Sequence, residues 1–390
     1  MIETAPARAE MLAQLHRSTP GSDMGALLRQ FWQPVALSSD LAPSQAKPLR
    51  MLGEDLTLYR GASGRAYLIG GRCAHRLTAL HTGWIEGEQL RCVYHGWKYG
   101  GDGQCVEMPA EKEDLASTVR IAGYAVHEYC GLVFAYVGEQ PAPPFELPRK
   151  DVFERDGYLY FARRQVWPCN WLQQVENSMD AVHVSFVHQL GKVGLFGEAV
   201  STAVPELAYE ETPAGIRQTA TRAENNVRIS DWTYPNNNHI LLPSFDRSLP
   251  WVDLSIWLMP IDDEQTARFQ IYAIPSVDAE TDRRVERHFE EYGGYDAADH
   301  HDELIHEAKF PSEPFLQLTS AQDYVAVVGQ GAVVDRPRER LGKSDEGIAL
   351  LRRIFLRELE AMRAHRPMKE WRKLDEFEEL PRQGAMQATA

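Results

Sequence analysis

Apolar positions along the first 30 residues recur at roughly helical spacing, as at Leu12 and Leu15, and predict a helical lead-in. From residue 31 to about residue 137 the pattern changes to short apolar runs, such as 132–136, separated by Gly-rich turns. Runs of this length bounded by turn residues are typical of short strands. The pattern therefore predicts a small all-β domain after the lead-in.

A proline-rich stretch at 140–148 follows this domain, and clustered prolines mark a loop or linker. Beyond it the pattern is mixed. We expect a helix at about 170–189, strands across about 207–276, and helices at about 284–309 and 347–363. The sequence thus predicts an α+β chain in three parts: a helical lead-in over 1–30, an all-β domain over 31–140 and an α+β domain over 141–390.

The composition is that of an ordinary soluble globular protein, with 44% hydrophobic and 25% charged residues. No stretch approaches the roughly 18 uncharged apolar residues that a membrane span requires. The first residues lack a basic segment followed by an apolar core. We therefore expect no membrane span, no secretory signal and a cytoplasmic location.

The formal net charge is −15. Nucleic acids and anionic membranes repel such a surface unless it carries a basic patch, so the charge argues against both as partners. Two interpretations stay open. The acidic surface is either simply solvated, or it includes a docking face for a basic electron donor.

Five cysteines, an odd number, make a disulfide framework unexpected in a cytoplasmic chain. Two of them belong to the pattern C-x-H-x16-C-x2-H, formed by Cys73, His75, Cys92 and His95. Two thiolates and two imidazoles can hold a tetrahedral zinc ion. They can equally hold a two-iron, two-sulfide cluster, with the cysteines on one iron and the histidines on the other.

Two features of this pattern favour the cluster. Each half-site begins with Cys, whereas common zinc fingers pair Cys with Cys and His with His. Each half-site also lies in a Gly-bearing loop between predicted strands, with Gly70 and Gly71 before the first and Gly96 after the second. A rigid pair of β-loops suits an electron-transfer centre because its geometry changes little on reduction.

A second candidate metal site has the pattern D-x2-H-x4-H, formed by Asp180, His183 and His188. On a helix, Asp180 and His183 share a face. His188 does not lie cleanly on that face and fits a position just past the end of the helix. With one more carboxylate this set becomes the 2-His-1-carboxylate triad, whose open positions bind O2 on Fe(II). Paired histidines on amphipathic segments are also common in cores and at surfaces, so the spacing alone leaves both interpretations open.

The third ligand of such a triad must be acidic and lie far downstream. The candidates are Asp302, Asp323, Asp335 and Asp345. Asp345 is better explained as part of the N-terminal cap of the last helix.

The run Arg91-Cys92-Val93-Tyr94-His95-Gly96-Trp97-Lys98-Tyr99, continued by Asp102-Gly103-Gln104-Cys105, resembles the second Rieske box of ring-hydroxylating oxygenases. The first box of that family is close to C-P-H-R-G, and here it is C-A-H-R-L at 73–77, with both ligands kept. Neither box contains the extra cysteine of respiratory Rieske proteins. The resemblance implies a [2Fe-2S] cluster held by Cys73, His75, Cys92 and His95.

The resemblance continues into the family's mononuclear iron motif, which matches Cys169-Asn170-Trp171, Glu176-Asn177, Asp180, His183 and His188. The pair Gln322-Asp323, followed by a Val-rich run and by Asp335-Arg336, matches the segment that carries the third ligand. The implied Fe(II) ligands are therefore His183, His188 and Asp323. The family's bridging role falls on Asp180, which would connect His95 of one subunit and His183 of its neighbour. Asn177 would either approach the open side of the iron or make a structural amide hydrogen bond.

The family resemblance implies an α (terminal oxygenase) subunit in which a small all-β Rieske domain precedes a catalytic domain with a helix-grip-like antiparallel sheet and helices. Such enzymes use O2 and electrons from an NAD(P)H-dependent reductase, with or without a ferredoxin. The chain has no flavin or NAD fingerprint, so the reductase must be another polypeptide.

Three stretches, 103–109, 257–263 and 335–353, resemble the branch of phthalate and phenoxybenzoate dioxygenases and vanillate-type O-demethylases. That branch implies a homotrimer with inter-subunit electron transfer and hydroxylation or dioxygenation of an aromatic carboxylate or aryl ether. Oxidative O- or N-demethylation is an alternative, and a Rieske electron carrier without oxygenase activity is another. The arginines considered as carboxylate partners are Arg217, Arg222 and Arg228, each of which is also compatible with a solvated position.

Overall fold

The computed structural model describes residues 5–111, 115–147, 153–192, 203–223, 226–246, 248–312 and 315–371. The chain divides into two compact units. The first comprises Met1–Arg17, Glu146–Leu258 and Asp263–Ala390, and the second comprises Ser18–Phe145 and Met259–Asp262. The predicted lead-in over 1–30 is therefore divided between the units: residues up to Arg17 belong to the first, and residues from Ser18 onward belong to the second.

The Ser18–Phe145 unit is built almost entirely from antiparallel strands, as the short apolar runs predict. One sheet has the order β1-β10-β9-β4-β3-β2 and the other has the order β5-β6-β7-β8. Its elements are helix α2 (Asp23–Leu28) and strands β1 (Gln33–Leu37), β2 (Ala46–Met51), β3 (Glu54–Arg60), β4 (Ala66–Gly70), β5 (Trp84–Glu86), β6 (Gln89–Arg91), β7 (Lys98–Tyr99), β8 (Cys105–Glu107), β9 (Gly123–Tyr129) and β10 (Leu132–Tyr136).

The other unit contains one seven-stranded sheet with the order β11-β17-β16-β15-β14-β13-β12, accompanied by helices. This arrangement confirms the α+β prediction. Its strands are β11 (Tyr158–Trp167), β12 (Glu206–Glu211), β13 (Gly215–Ala223), β14 (Asn226–Thr233), β15 (Asn237–Leu242), β16 (Val252–Pro260) and β17 (Thr266–Pro275). Its helices are α1 (Ala5–His16), α3 (Trp171–Ser178), α4 (Ala279–Tyr292), α5 (Leu318–Val328) and α6 (Glu346–Arg363).

The strands predicted across 207–276 and the helix predicted at 347–363 are confirmed by these bounds. The helix predicted at 284–309 was too long, because α4 ends at Tyr292 and is followed by Gly293 and Gly294. Consecutive glycines end a helix readily, since they lose more backbone entropy in it than other residues. None of the helices in the described residues has the length and apolar character that crossing a membrane requires.

A buried ion network fixes helix α3 to the C-terminal part of its unit. Glu176 of α3 accepts hydrogen bonds from Arg336 (2.9 Å) and from Arg352 of α6 (2.6 Å). Arg352 also donates to Glu339 at 2.8 Å. The carboxylate of Glu176 and both guanidinium groups are buried, so each charge depends on its partners for stabilisation.

Glu176→Gln is expected to lower the free energy of unfolding by about 3–5 kcal/mol, because two buried guanidinium groups lose their counter-charge. Denaturant unfolding measures this loss, with Glu339→Gln as the control. Glu339 is 22% exposed, so water can compensate for its removal and the loss should be smaller. A Glu176→Gln protein as stable as the wild type would contradict a structural role for the network.

The same network predicts a pH dependence. Burial would raise the pKa of Glu176, but Arg336 and Arg352 outweigh burial and lower the pKa below the ordinary value of 4.5. A lowered folded pKa stabilises the fold above that ordinary value, and the stabilisation is lost as the pH falls through the folded pKa. The stability difference between wild type and Glu176→Gln should therefore narrow in acid, and pH-dependent unfolding would measure it.

Candidate metal centres

The two half-sites of the first motif fold in the same way. Cys73 donates its N–H to Thr78 O (2.9 Å), and Cys92 donates its N–H to Trp97 O (2.8 Å). In each loop the fourth residue after the cysteine has positive φ, 60° at Leu77 and 74° at Gly96. Leu77 thus adopts the left-handed conformation that glycine adopts without strain. The first box, with leucine in place of glycine, therefore makes the same left-handed turn as the second box.

The four side chains of this motif differ in exposure by residue type. Cys73 and Cys92 are both 2% exposed and belong to a buried core cluster. His75 is exposed and His95 is half-buried, and their rings lie 4.4 Å apart between centroids. The two cysteines therefore share one buried cluster and the two imidazoles lie side by side, with the sulfurs inside and the imidazoles nearer the surface.

This donor set suits a cluster better than a single ion. In the described part of the chain, two groups of three candidate ligands have all their ligand atoms within 4.8 Å of one another, and neither includes these four residues. A tetrahedral zinc ion needs its ligands closer together than that. A two-iron, two-sulfide cluster spans a larger space and takes the cysteines on one iron and the histidines on the other.

The second motif is positioned by the end of helix α3. The helix predicted at 170–189 stops at Ser178, because Asp180 Oδ1 accepts hydrogen bonds from the N–H groups of Val182 (2.7 Å) and His183 (3.3 Å). A local side-chain bond of this kind competes with helical hydrogen bonding. His183 then begins a short 3₁₀ turn. The expectation that Asp180 and His183 share a helix face was therefore wrong.

His183, His188 and Asp323 form one of the two close groups of candidate ligands. Asp323 Oδ1 lies 3.4 Å from His183 Nε2 and 3.7 Å from His188 Nε2. His188 comes from the turn after His183, and Asp323 comes from helix α5. The structure thus brings Asp323 to the two histidines. Asp302 and Asp335 belong to other segments, and Asp345 is the N-cap residue of α6, as predicted.

A hydrogen bond orients the His188 imidazole, and a carboxylate lies near the His183 imidazole. His188 Nδ1 donates to Gln322 Oε1 at 3.1 Å, and Gln322 Nε2 donates to Leu190 O at 2.8 Å. His183 Nδ1 lies 3.8 Å from Asp180 Oδ2. Both Nε2 atoms therefore face Asp323 with their Nδ1 atoms turned to polar partners, which is the usual arrangement behind a metal-bound histidine.

The electrostatics of Asp323 and His188 suit metal ligation. Burial would lower the pKa of His183, but Asp323 and Asp180 outweigh burial and raise it. Burial would raise the pKa of Asp323, but the two imidazoles and Arg268 lower it to about 2. Burial lowers the pKa of His188 to about 4. The carboxylate is therefore ionised and His188 is neutral at pH 7, as metal ligation requires. Asp323 Oδ1 is buried without a hydrogen-bond partner, so the donor set fits Fe(II).

A cavity enclosing about 720 Å³, including its solvent-open part, adjoins this group. Asn177 and Asp180 both line it, beside His183, His188 and Asp323. Most of the remaining wall comes from β13 to β17, where residues two apart point to the same side. The polar residues of this part of the wall are Gln218, Arg228, Ser230, Asn238, Arg268 and Gln270, and the apolar ones are Ile240, Leu242, Leu254, Ile256 and Leu258.

The comparisons with known proteins identify the family of this chain. A Rieske [2Fe-2S] domain model matches residues 31–129. The oxygenase subunit of 5,5'-dehydrodivanillate O-demethylase from Sphingobium sp. strain SYK-6 is 34% identical over 360 residues, which cover 90% of this chain and 80% of that protein. The chain belongs to the Rieske non-haem iron oxygenases. This Rieske oxygenase is therefore an oxidoreductase, and its family uses a [2Fe-2S] cluster, a mononuclear iron and O2.

Other relatives of this Rieske oxygenase include the α subunit of phenoxybenzoate dioxygenase from Ectopseudomonas oleovorans, 33% identical over 87% of this chain and 82% of that protein. The fold of this chain resembles that of the terminal oxygenase of carbazole 1,9a-dioxygenase from Novosphingobium sp. KA1, with a TM-score of 0.65. The two chains are 22% identical, and the match covers 90% of this chain and 96% of that one.

Sequence reasoning assigned no role to four residues that contact or adjoin the two sites in the structure. Gln322 orients His188, and its only sequence signal is its position beside Asp323. Tyr99 contacts Cys73, and no local spacing indicates that contact. Arg268 and Gln270 line the cavity, and the signal available was the alternation of polar Thr266, Arg268 and Gln270 with apolar residues in a predicted strand.

Proposed function

We propose that this chain is the terminal oxygenase component of a multicomponent system that hydroxylates a small aromatic substrate with O2 and electrons from a separate reductase. The observation that carries the proposal is the convergence of His183, His188 and Asp323 on one point of a cavity wall. When loaded, the [2Fe-2S] cluster supplies single electrons and Fe(II) activates O2.

The residues then have distinct roles. Cys73, His75, Cys92 and His95 hold the cluster, and His183, His188 and Asp323 hold the iron. Gln322 keeps the proton of His188 on Nδ1, which leaves Nε2 unprotonated and able to ligate. Asn177 lies on the cavity wall with its amide available to substrate.

Asp180 is the residue we assign to electron transfer. Its Oδ1 is used by the backbone of the turn, and its Oδ2 faces His183 Nδ1. The side chain is 28% exposed, so the carboxylate can also accept an N–H from an imidazole outside this unit. We propose that His95 of a neighbouring subunit in a homotrimer supplies that N–H, which would give electrons a short hydrogen-bonded path.

The electron donor is a reductase, with or without a ferredoxin. A complex of reduced carbazole 1,9a-dioxygenase oxygenase with its ferredoxin has a similar oxygenase fold (TM-score 0.63, 20% identity, covering 92% of this chain and 94% of that one). This likeness supports a carrier that docks on the oxygenase.

Two reactions at this site have support. Hydroxylation or dioxygenation of the ring is supported by the relative named phenoxybenzoate dioxygenase. Oxidative O-demethylation is supported by the dehydrodivanillate O-demethylase, which matches more of this chain. Product analysis with 18O2 separates them. Ring hydroxylation places labelled oxygen on the aromatic ring, whereas demethylation yields formaldehyde and an unlabelled phenol. Substrate turnover without O2 consumption would contradict both.

Tyr99 is expected to tune the cluster. Its hydroxyl accepts the N–H of Ala74 (3.1 Å) and lies 3.2 Å from Cys73 Sγ, where it can donate. A hydrogen bond to a ligand sulfur stabilises the reduced cluster and raises the reduction potential. Tyr99→Phe should therefore lower the midpoint potential in a redox titration.

Tyr59→Phe is the matched control for this prediction. Tyr59 is equally buried in the same unit, but its hydroxyl donates to Glu88 O at 3.0 Å and not to a sulfur. Its replacement should leave the potential unchanged. Equal potentials for Tyr99→Phe and wild type would contradict the assigned hydrogen bond.

A further inference from the structure

The cavity wall carries an arginine and a glutamine two residues apart on strand β17. Residues at this spacing on a strand point to the same side, and both Arg268 and Gln270 line the cavity. They are 5% and 1% exposed. A charged group and an amide therefore lie on the same side of one strand, in a part of the cavity wall with little solvent exposure.

Neither side chain is satisfied by the protein that surrounds it. Within the described residues, the Arg268 guanidinium makes no hydrogen bond or ion pair, and its Nε is fully buried without an acceptor. Both side-chain polar atoms of Gln270 are also buried without a hydrogen-bond partner. Buried polar groups are normally paired, so unpaired ones lining a cavity indicate a ligand that pairs them.

The guanidinium is held in place by packing. The Arg268 guanidinium carbon lies 3.6 Å from the centre of the Trp167 ring, which favours a cation at that position. The indole covers one face of the guanidinium and leaves its edge, where the N–H donors lie, for hydrogen bonding. The Arg268 guanidinium is therefore held in a fixed position for binding, and its positive charge is not neutralised by an ion pair with any described residue.

The charged residues that line the cavity favour an anionic ligand. Four charged side chains line it, namely the acidic Asp180 and Asp323 and the basic Arg228 and Arg268. These four balance, so Fe(II) at the triad would leave the cavity with a positive charge. The negative charge of Asp323 partly offsets the effect of burial on the pKa of Arg268. With iron bound, Asp323 would be a ligand of the metal. A neutral aryl ether would leave Arg268 without a counter-charge.

We infer that Arg268 and Gln270 form a subsite for the carboxylate of an aromatic acid. This inference rests on the proposed function and narrows its substrate class from aromatic compounds in general to aromatic acids. The guanidinium edge donates two parallel N–H bonds to the carboxylate, and Gln270 Nε2 donates a third. Apolar wall residues, such as Ile240, Leu254 and Ile256, contact the ring.

Direct binding tests the subsite without turnover. Isothermal titration calorimetry would compare 4-methoxybenzoate and 3-phenoxybenzoate with the corresponding carboxamides, on protein of known iron content. The acid should bind at least about tenfold more tightly than its amide, and Arg268→Gln should abolish that preference. The control is Arg164→Gln, an exposed arginine of the neighbouring strand β11, which should keep the preference.

The stability of Arg268→Gln distinguishes ligand binding from a structural role. Because Arg268 has no hydrogen-bond partner in the described residues, its neutral replacement should unfold at the same or a higher denaturant concentration than wild type. Marked destabilisation would assign Arg268 to the fold and overturn the subsite. Equal binding of acid and amide, or binding of neither, would also overturn it.

Metal content and acid preference together show whether the subsite or the oxygenase proposal is wrong. Protein that contains both metal centres but does not prefer acids contradicts the subsite alone. Protein that binds acids through Arg268 but lacks iron contradicts the oxygenase proposal and leaves the subsite standing.

Discussion

His183→Ala is expected to abolish product formation while leaving the [2Fe-2S] cluster intact. The imidazole supplies one of three ligand atoms that meet within 4.8 Å, and alanine leaves only His188 and Asp323 to hold the iron. Iron content should fall from about three to about two per chain, with about two sulfides unchanged. The visible spectrum of the cluster should be unaffected, since its ligands lie in a different unit.

His306→Ala is the matched control for this loss. His306 belongs to the other close group of candidate ligands, together with His301 and Asp302, and it is largely exposed. Its replacement should keep the iron and the activity. Turnover by His183→Ala, or loss of iron from His306→Ala, would contradict the assignment of the iron to His183, His188 and Asp323.

Asp180→Asn is expected to keep both metal centres and lower the turnover rate by about 10- to 100-fold, the usual effect of altering a partner of a metal-bound histidine. Asparagine retains the oxygen that accepts from the Val182 and His183 N–H groups, so the turn should survive. The lost group is the anionic oxygen that faces His183 Nδ1.

Rapid mixing of pre-reduced protein with O2 and substrate would locate this defect. Cluster reoxidation should be slow in Asp180→Asn and normal in Asn177→Ala, whose side chain lines the same cavity but is assigned to substrate. Normal single-turnover kinetics in Asp180→Asn would refute the role in electron transfer.

Much of the two metal sites could be predicted because the ligands lie close together in sequence. Cys73 and His75 share one loop, Cys92 and His95 share another, and His183 and His188 are five residues apart, so spacing alone indicates candidate ligands. Asp323 could be chosen among distant acids only through its family resemblance. Its contact with the histidines depends on where helix α5 packs.

Other features depend on contacts that local patterns do not show. The helix at 170–189 was overestimated because hydrophobic periodicity does not reveal that Asp180 hydrogen bonds to the backbone ahead of it. The partners of Glu176 lie 160 and 176 residues away. Arg268 has the sequence signature of a half-buried strand residue, and only its surroundings show that its guanidinium lacks a partner.

The central claim, that one chain carries a Rieske cluster and a mononuclear iron, is tested most directly by metal and sulfide analysis of protein purified without oxygen. About three irons and two acid-labile sulfides per chain, with no zinc, are expected. Two irons and two sulfides that Fe(II) reconstitution cannot raise to three irons would indicate an electron carrier. Zinc without sulfide would contradict both metal centres.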